Sequence, residues 1–158
     1  MGRQGRTLGY RGAPMTSVSG EQLTSHLKGF DRLYGLEILD VSDSDITARV
    51  DVRDDIKQPA GLVHGGVYAA VAESIASVAT ALAVMEHGDM AMGQSNSTSF
   101  LRPITEGAVH AHATRIHRGR TTWVWDVTFT DDGGRTCAVT RMTIAVRPVP
   151  DGPPPALT

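Results

Sequence analysis

Residues 61–85, GLVHGGVYAAVAESIASVATALAVM, hold one charged side chain after His64, the carboxylate of Glu73. Wound at about 100° per residue, the run separates into two unlike stripes. Val67, Val71, Ile75, Val78 and Leu82 make one, bulky and apolar. Gly66, Ala69, Ala70, Glu73, Ser77 and Thr80 make the other. A solvated stripe would carry several Lys, Glu or Arg residues, whereas this one has small residues around a single carboxylate. Small side chains let a second surface or a ligand approach the helix backbone, with Glu73 at the point of contact. The rest of the chain is expected to frame this helix.

Length and apolarity also suit a membrane span. The run is largely Ala with recurring hydroxyl residues, however, and a carboxylate at mid-bilayer is costly. A core helix is the better reading, with no membrane partner. The 158 residues, 41% hydrophobic, suffice for one core and one domain. A net charge of -2 leaves no electrostatic footprint for nucleic acid or an anionic membrane. The single Cys137 rules out an intrachain disulfide and a Cys-based zinc cluster, so a reducing cytoplasm is the expected compartment. Residues 1–20 are basic and Gly-rich without the apolar run of a secretory signal, and residues 149–158 are rich in Pro. Both are expected as tails around a single domain at 21–148.

Residues 21–34 suit a short helix with Leu23, Leu27 and Phe30 on one face, stopped by Gly35. Strands are expected at 36–41 and 46–52 across the turn-prone Ser42-Asp43-Ser44-Asp45. After Gly88 the pattern turns to β. Residues 90–101 are rich in Ser, Thr and Asn, and 108–117 alternate. Residues 121–130 place Trp123, Trp125, Val127 and Phe129 on one face, and 136–146 align Ala138, Met142, Ile144 and Val146. Short Gly-containing turns make the last three strands an antiparallel meander. The fold class is α+β: two strands, one long helix, four strands. One helix cannot cover both faces of such a sheet, which predicts an oligomer built by pairing sheets and docking the pairs.

His64-Gly65-Gly66 opens the long helix. First-turn N–H groups have no internal partner, and the helix dipole makes that end partly positive. Such donors can polarise a carbonyl and hold an oxyanion; glycines there also serve an ordinary tight turn. Glu73 is seven residues beyond Gly66 and so on nearly the same azimuth. In a partly dry setting its carboxylate would be a stronger base or nucleophile. Ser77, at i+4 from Glu73, can meet a water or a substrate hydroxyl, though without a ligand its expected use is a bond to its own i−4 carbonyl. His110 and His112 share a strand face, but with no third ligand at readable spacing no metal site is expected. Arg102, His117, Arg118, Arg120 and Arg147 fall at strand ends or turns and suit a phosphorylated ligand or a solvated rim. No Ser-centred elbow, GxGxxG or P-loop occurs.

The run QPAGLVHGGVYAAVAES and the order of elements resemble the hotdog-fold acyl-CoA thioesterases whose carboxylate is a Glu inside the central helix. GQSNSTSFLRP, RIHRGRTTWVWDV and MTIAVRP are similar to a 4-hydroxybenzoyl-CoA thioesterase of that branch. KQP and AESIASVA also resemble thioesterases acting on 1,4-dihydroxy-2-naphthoyl-CoA, and phenylacetyl-type esters are a third option. The resemblance implies an antiparallel sheet wrapped around the helix, a dimer with a continuous sheet, a dimer-of-dimers homotetramer, and active sites at subunit interfaces. No cofactor is implied. Glu73 would be the nucleophile or general base, and the Gly65 N–H would polarise the thioester carbonyl. His64 and Gln58 would surround the reacting centre, with Ser77 near the aromatic ring and the hydrolytic water. Arg102, Arg120, Thr121 and Gly66 would hold the substrate and its CoA. Arg120 replaces a smaller polar residue expected in close relatives, and the tail beyond Pro148 lacks extra basic residues. Two other classes remain. A hydratase would need a catalytic His that the Glu73 stripe lacks, and a non-catalytic acyl-CoA binder would bind without turnover.

Overall fold

A computed structural model describes residues 18–150. Nearly all of both expected tails lies outside them. Two short helices, α1 (Gly20–His26) and α2 (Phe30–Tyr34), precede strands β1 (Glu37–Val41) and β2 (Asp45–Asp51). The long helix α3 (Gly65–Val84) follows, then β3 (Asp89–Phe100), β4 (Ala108–Arg118), β5 (Thr122–Thr130) and β6 (Thr136–Pro148). The six strands form one antiparallel sheet in the order β1-β2-β4-β5-β6-β3. The meander β4-β5-β6 is as expected. Strand β3 is placed non-sequentially, returning to the far edge beside β6.

The expected single helix at 21–34 is two. Gly29 adopts φ 59° between α1 and α2, a left-handed backbone angle that only Gly takes at little cost. Phe30 is consequently exposed rather than sharing a face with Leu23. Gly35 ends α2 in the αL conformation, as its position suggested.

Helix α3 is apolar and long enough to pass for a membrane span, yet it is the core helix of the sheet. Val71, Ala72, Ile75 and Ala76 are wholly buried, packed with Trp125, Phe129, Met142 and Ile144. Each large apolar side chain so buried contributes about 1.5–3 kcal/mol. The buried stripe is rotated towards the small residues. Val78 and Leu82 are only half-buried at its margin, while Thr80 is fully buried. Thr80 therefore does not belong to the open stripe: its hydroxyl donates to the Ala76 carbonyl at 2.8 Å and accepts from Trp125 Nε1 at 3.0 Å.

The two edges of the sheet differ. On β1, Thr24 Oγ1 of α1 accepts from the Ile38 N–H at 2.8 Å and donates to the Ile38 carbonyl, so α1 covers that edge. Strand β3 carries no such cover among the described residues, and 93–97, together with Phe100, are exposed. An uncovered edge of this length is a template for pairing.

Candidate active site

The start of α3 is pinned from both sides. The Lys57–Val63 bridge closes the loop before it, the His64 N–H donates to the Ile56 carbonyl, and the Val63 N–H to that of Ile104. His64 is the N-cap: its Nδ1 accepts from the Gly66 N–H at 2.9 Å. The Gly66 donor is thus used within the turn. The Gly65 N–H, at the first helical position, has no acceptor among the described residues. The Phe100 ring covers Gly65 so closely that a Cβ there would lie 2.8 Å from Cζ. Gln58, Gly65 and Arg102 share one cavity of about 500 Å³ with Tyr68, Phe100 and Leu101. Burial pushes the Tyr68 hydroxyl up to about 12, so it stays a neutral wall of that cavity.

Glu73 is exposed two turns further along α3, its carboxylate against Gly93 of β3 at a break in register between Gly93 and Ser95. Next to it, Asn96 Nδ2 donates to the Ala69 carbonyl at 2.9 Å and ties β3 to the helix. The expected dry surroundings of the carboxylate are absent from the single chain. Ser77 is half-buried one turn on, and its hydroxyl has no partner among the described residues. It is Thr80, not Ser77, that bonds its i−4 carbonyl.

Eight residues at about 1.5 Å each separate Gly65 from Glu73 by about 12 Å along the axis. One thioester carbonyl cannot reach both within one chain. Arg102 and the pair Arg120–Thr121 are further apart. The Leu101 and Arg102 N–H groups both donate to Cys137 at the start of β6, whereas the Thr121 carbonyl accepts from Val146 near its end. Nine strand residues put those points about 30 Å apart. Arg147, named with the rim cations, is spent on the Thr121 and Val146 carbonyls. His110 and His112 hydrogen-bond separately to Asp132 and Asp45, and no group of three metal-type side chains occurs among the described residues.

One polar network escaped the sequence reading. Tyr34 and Ser74 both donate to Asp31 Oδ1, at 2.7 and 2.5 Å, and their oxygens are 3.0 Å apart. Burial drives the Tyr34 hydroxyl far above its usual range, so it serves as a donor. The contact spans about forty residues, and no local sequence signal marks it.

A helix start with a free N–H and a carboxylate on the open face suit carbonyl chemistry, and comparison with known proteins agrees. A family model described as the thioesterase superfamily matches residues 60–138, which include α3 and both groups. The chain belongs to the thioesterase superfamily. A thioesterase of Pseudomonas aeruginosa, solved as a mutant, superposes with TM-score 0.79 at 34% identity, over 84% of this chain and 96% of the other. A relative from Mycobacterium tuberculosis is 41% identical over 111 residues, 69% of this chain and 79% of its own length. A 1,4-dihydroxy-2-naphthoyl-CoA hydrolase of Listeria monocytogenes is 32% identical over 119 residues, 75% of this chain and 96% of the relative. This thioesterase therefore has the hotdog fold and is an acyl-CoA thioesterase-type hydrolase. The Listeria relative is named for the naphthoyl ester.

Proposed function

We propose that the protein hydrolyses an aromatic acyl-CoA to the free acid and CoA, with Glu73 as the attacking or proton-abstracting carboxylate. The observation that carries this reading is the pair formed by the free Gly65 N–H and the open Glu73 carboxylate on one helix. Their separation of about 12 Å calls for two copies, each giving its helix start to the other's Glu73. The uncovered β3 edge supplies a route. Antiparallel pairing of two β3 edges sets the Phe100 end of one copy beside the Asp89 end of the other. Since Thr121 belongs to the Asp89 end, Arg102 of one copy and Arg120–Thr121 of the next would approach one CoA. Pairing of two such dimers gives the homotetramer, and closure of the interface would dry the Glu73 site. The buried lone Cys137 accords with a reducing cytoplasm.

In the reaction, the Gly65 N–H binds the thioester oxygen. Glu73 either takes a proton from water, whose hydroxide adds to the carbonyl carbon, or adds there itself. The C–S bond breaks and CoA leaves as a thiolate, which needs little acid help because a thiol's pKa is about 8.5. An anhydride formed on Glu73 is then opened by water. Gln58, His64 and Ser77 would position the ester and the water.

The sequence blocks favour 4-hydroxybenzoyl-CoA. The Listeria relative favours 1,4-dihydroxy-2-naphthoyl-CoA as a second reading. Thiol release from both esters, benzoyl-, phenylacetyl- and a straight-chain acyl-CoA separates them. Fastest turnover on a hydroxyaryl ester is the expected result; preference for the straight chain would contradict the aromatic assignment.

A further inference from the structure

Two concavities meet at the start of α3. His64 lines one and Gly65 the other, so the carbonyl held by the Gly65 N–H would sit at their boundary. The second holds Gln58 and Arg102 and carries the only positive charge of its lining. The first, of about 430 Å³, lies beneath α2 between Phe30, Leu33, Tyr34, Ile56 and Val67, with Asp55, Lys57 and His64 at its polar side. That volume is within the range of about 300–1,000 Å³ typical of ligand pockets.

Helix α2 is built as a wall for this cavity. Phe30 is 62% and Leu33 69% exposed, the two most exposed large apolar side chains among the described residues, and they sit together on this five-residue helix. Neither belongs to the core, and both border the cavity. The Tyr34 and Ser74 hydroxyls are both taken up by Asp31 Oδ1, which leaves the Tyr34 ring as an apolar surface. The same network locks α2 onto α3 at the residue after Glu73. Phe30 and Tyr34 form an edge-to-face pair, centroids 5.1 Å apart at 77°, a geometry that a third flat ring can extend.

We propose that the cavity beneath α2 receives the acyl group, that Phe30 and Leu33 select a flat aromatic one, and that the CoA arm runs through the cavity holding Arg102. This rests on the thioesterase reading of Glu73 and adds to it the residues that decide the substrate.

The test is calorimetric binding of benzoyl-CoA, hexanoyl-CoA and free CoA to Glu73→Ala protein, alone and combined with Phe30→Ala, Leu33→Ala or Arg102→Ala. Phe30 and Leu33 are largely exposed, so both variants keep the fold. Phe30→Ala is expected to weaken benzoyl-CoA about fivefold, the scale of one lost aromatic contact. Hexanoyl-CoA should change less than about twofold and free CoA not at all, with Leu33→Ala following the same order. Arg102→Ala should weaken all three ligands. Equal losses for the two acyl esters, a parallel loss for free CoA, or no change with Phe30→Ala would overturn the proposal, as would failure of benzoyl-CoA to bind tighter than CoA. Turnover is read separately. Should Glu73→Ala hydrolyse benzoyl-CoA as fast as the parent while the Phe30 pattern holds, the role of Glu73 fails and the acyl pocket stands.

Discussion

The carboxylate of Glu73 rests on the backbone of Gly93: a Cβ at that glycine would come within 2.7 Å of Oε1 and 3.1 Å of Met142 Cε. Gly93 does not need positive φ, so its small size serves close approach rather than backbone freedom. Gly93→Ala should therefore fold but push the carboxylate off its seat. A displacement of about 1 Å at the reacting group costs on the order of 100-fold. Steady-state kinetics with an unchanged circular dichroism spectrum is the check.

Gly65 sits at the first helical position, where Pro fits because its φ is preset and no N–H is needed by the helix. His64 has ψ 133°, as a residue before Pro requires. Gly65→Pro thus deletes the proposed oxyanion donor and keeps α3. The ring it adds would press on Phe100, so the comparison belongs in a Phe100→Ala background. Turnover should fall about 10²–10³-fold, the usual effect of losing one such donor. A loss under tenfold would show that Gly65 does not hold the oxyanion.

Thr80 satisfies the buried Trp125 Nε1–H, and both are fully buried. Thr80→Val keeps the shape and strands that donor, at a cost of about 1–3 kcal/mol. Thr80→Ser keeps the bond. Denaturant unfolding should rank the parent above the Ser variant and the Ser variant above Val.

The acid limb of stability should trace partly to Asp43. Its hydrogen bond from Arg115, helped by the charges of Arg115 and Arg118, holds its carboxyl below the usual 3.8. Depression in the folded state means the contribution is fully present above that unfolded value and fades as pH falls below it. Asp43 is largely exposed, although the Arg115 side chain is not, so solvent screening at the carboxylate keeps the effect small. Melting midpoints of the parent and Asp43→Asn should differ most above pH 4 and converge below 3.8.

What was legible in the sequence was periodic or local. The α3 run, the alternation of Trp123, Trp125, Val127 and Phe129, and the hairpin glycines led directly to the elements observed. Glu73 and the His64–Gly66 turn stood out because charge and small side chains are rare on such a helix. What was hidden depends on distant partners. Thr80 reads as a small polar residue until Trp125 arrives from 45 residues away. Tyr34, Asp31 and Ser74 meet only when α2 lies on α3. The gap between Arg102 and Arg120–Thr121 follows from the placement of β3 beside β6, which strand periodicity does not encode. The Gly29 break was missed because Leu23, Leu27 and Phe30 keep helical spacing across it.

The central claim is that Glu73 carries the chemistry. Its most direct test is CoA thiol release from 4-hydroxybenzoyl- and 1,4-dihydroxy-2-naphthoyl-CoA by the parent and by Glu73→Ala, with circular dichroism confirming the fold of each. The account predicts turnover by the parent on at least one ester and a loss of about 10²–10⁴-fold in the variant. Parent-like release by Glu73→Ala would contradict it.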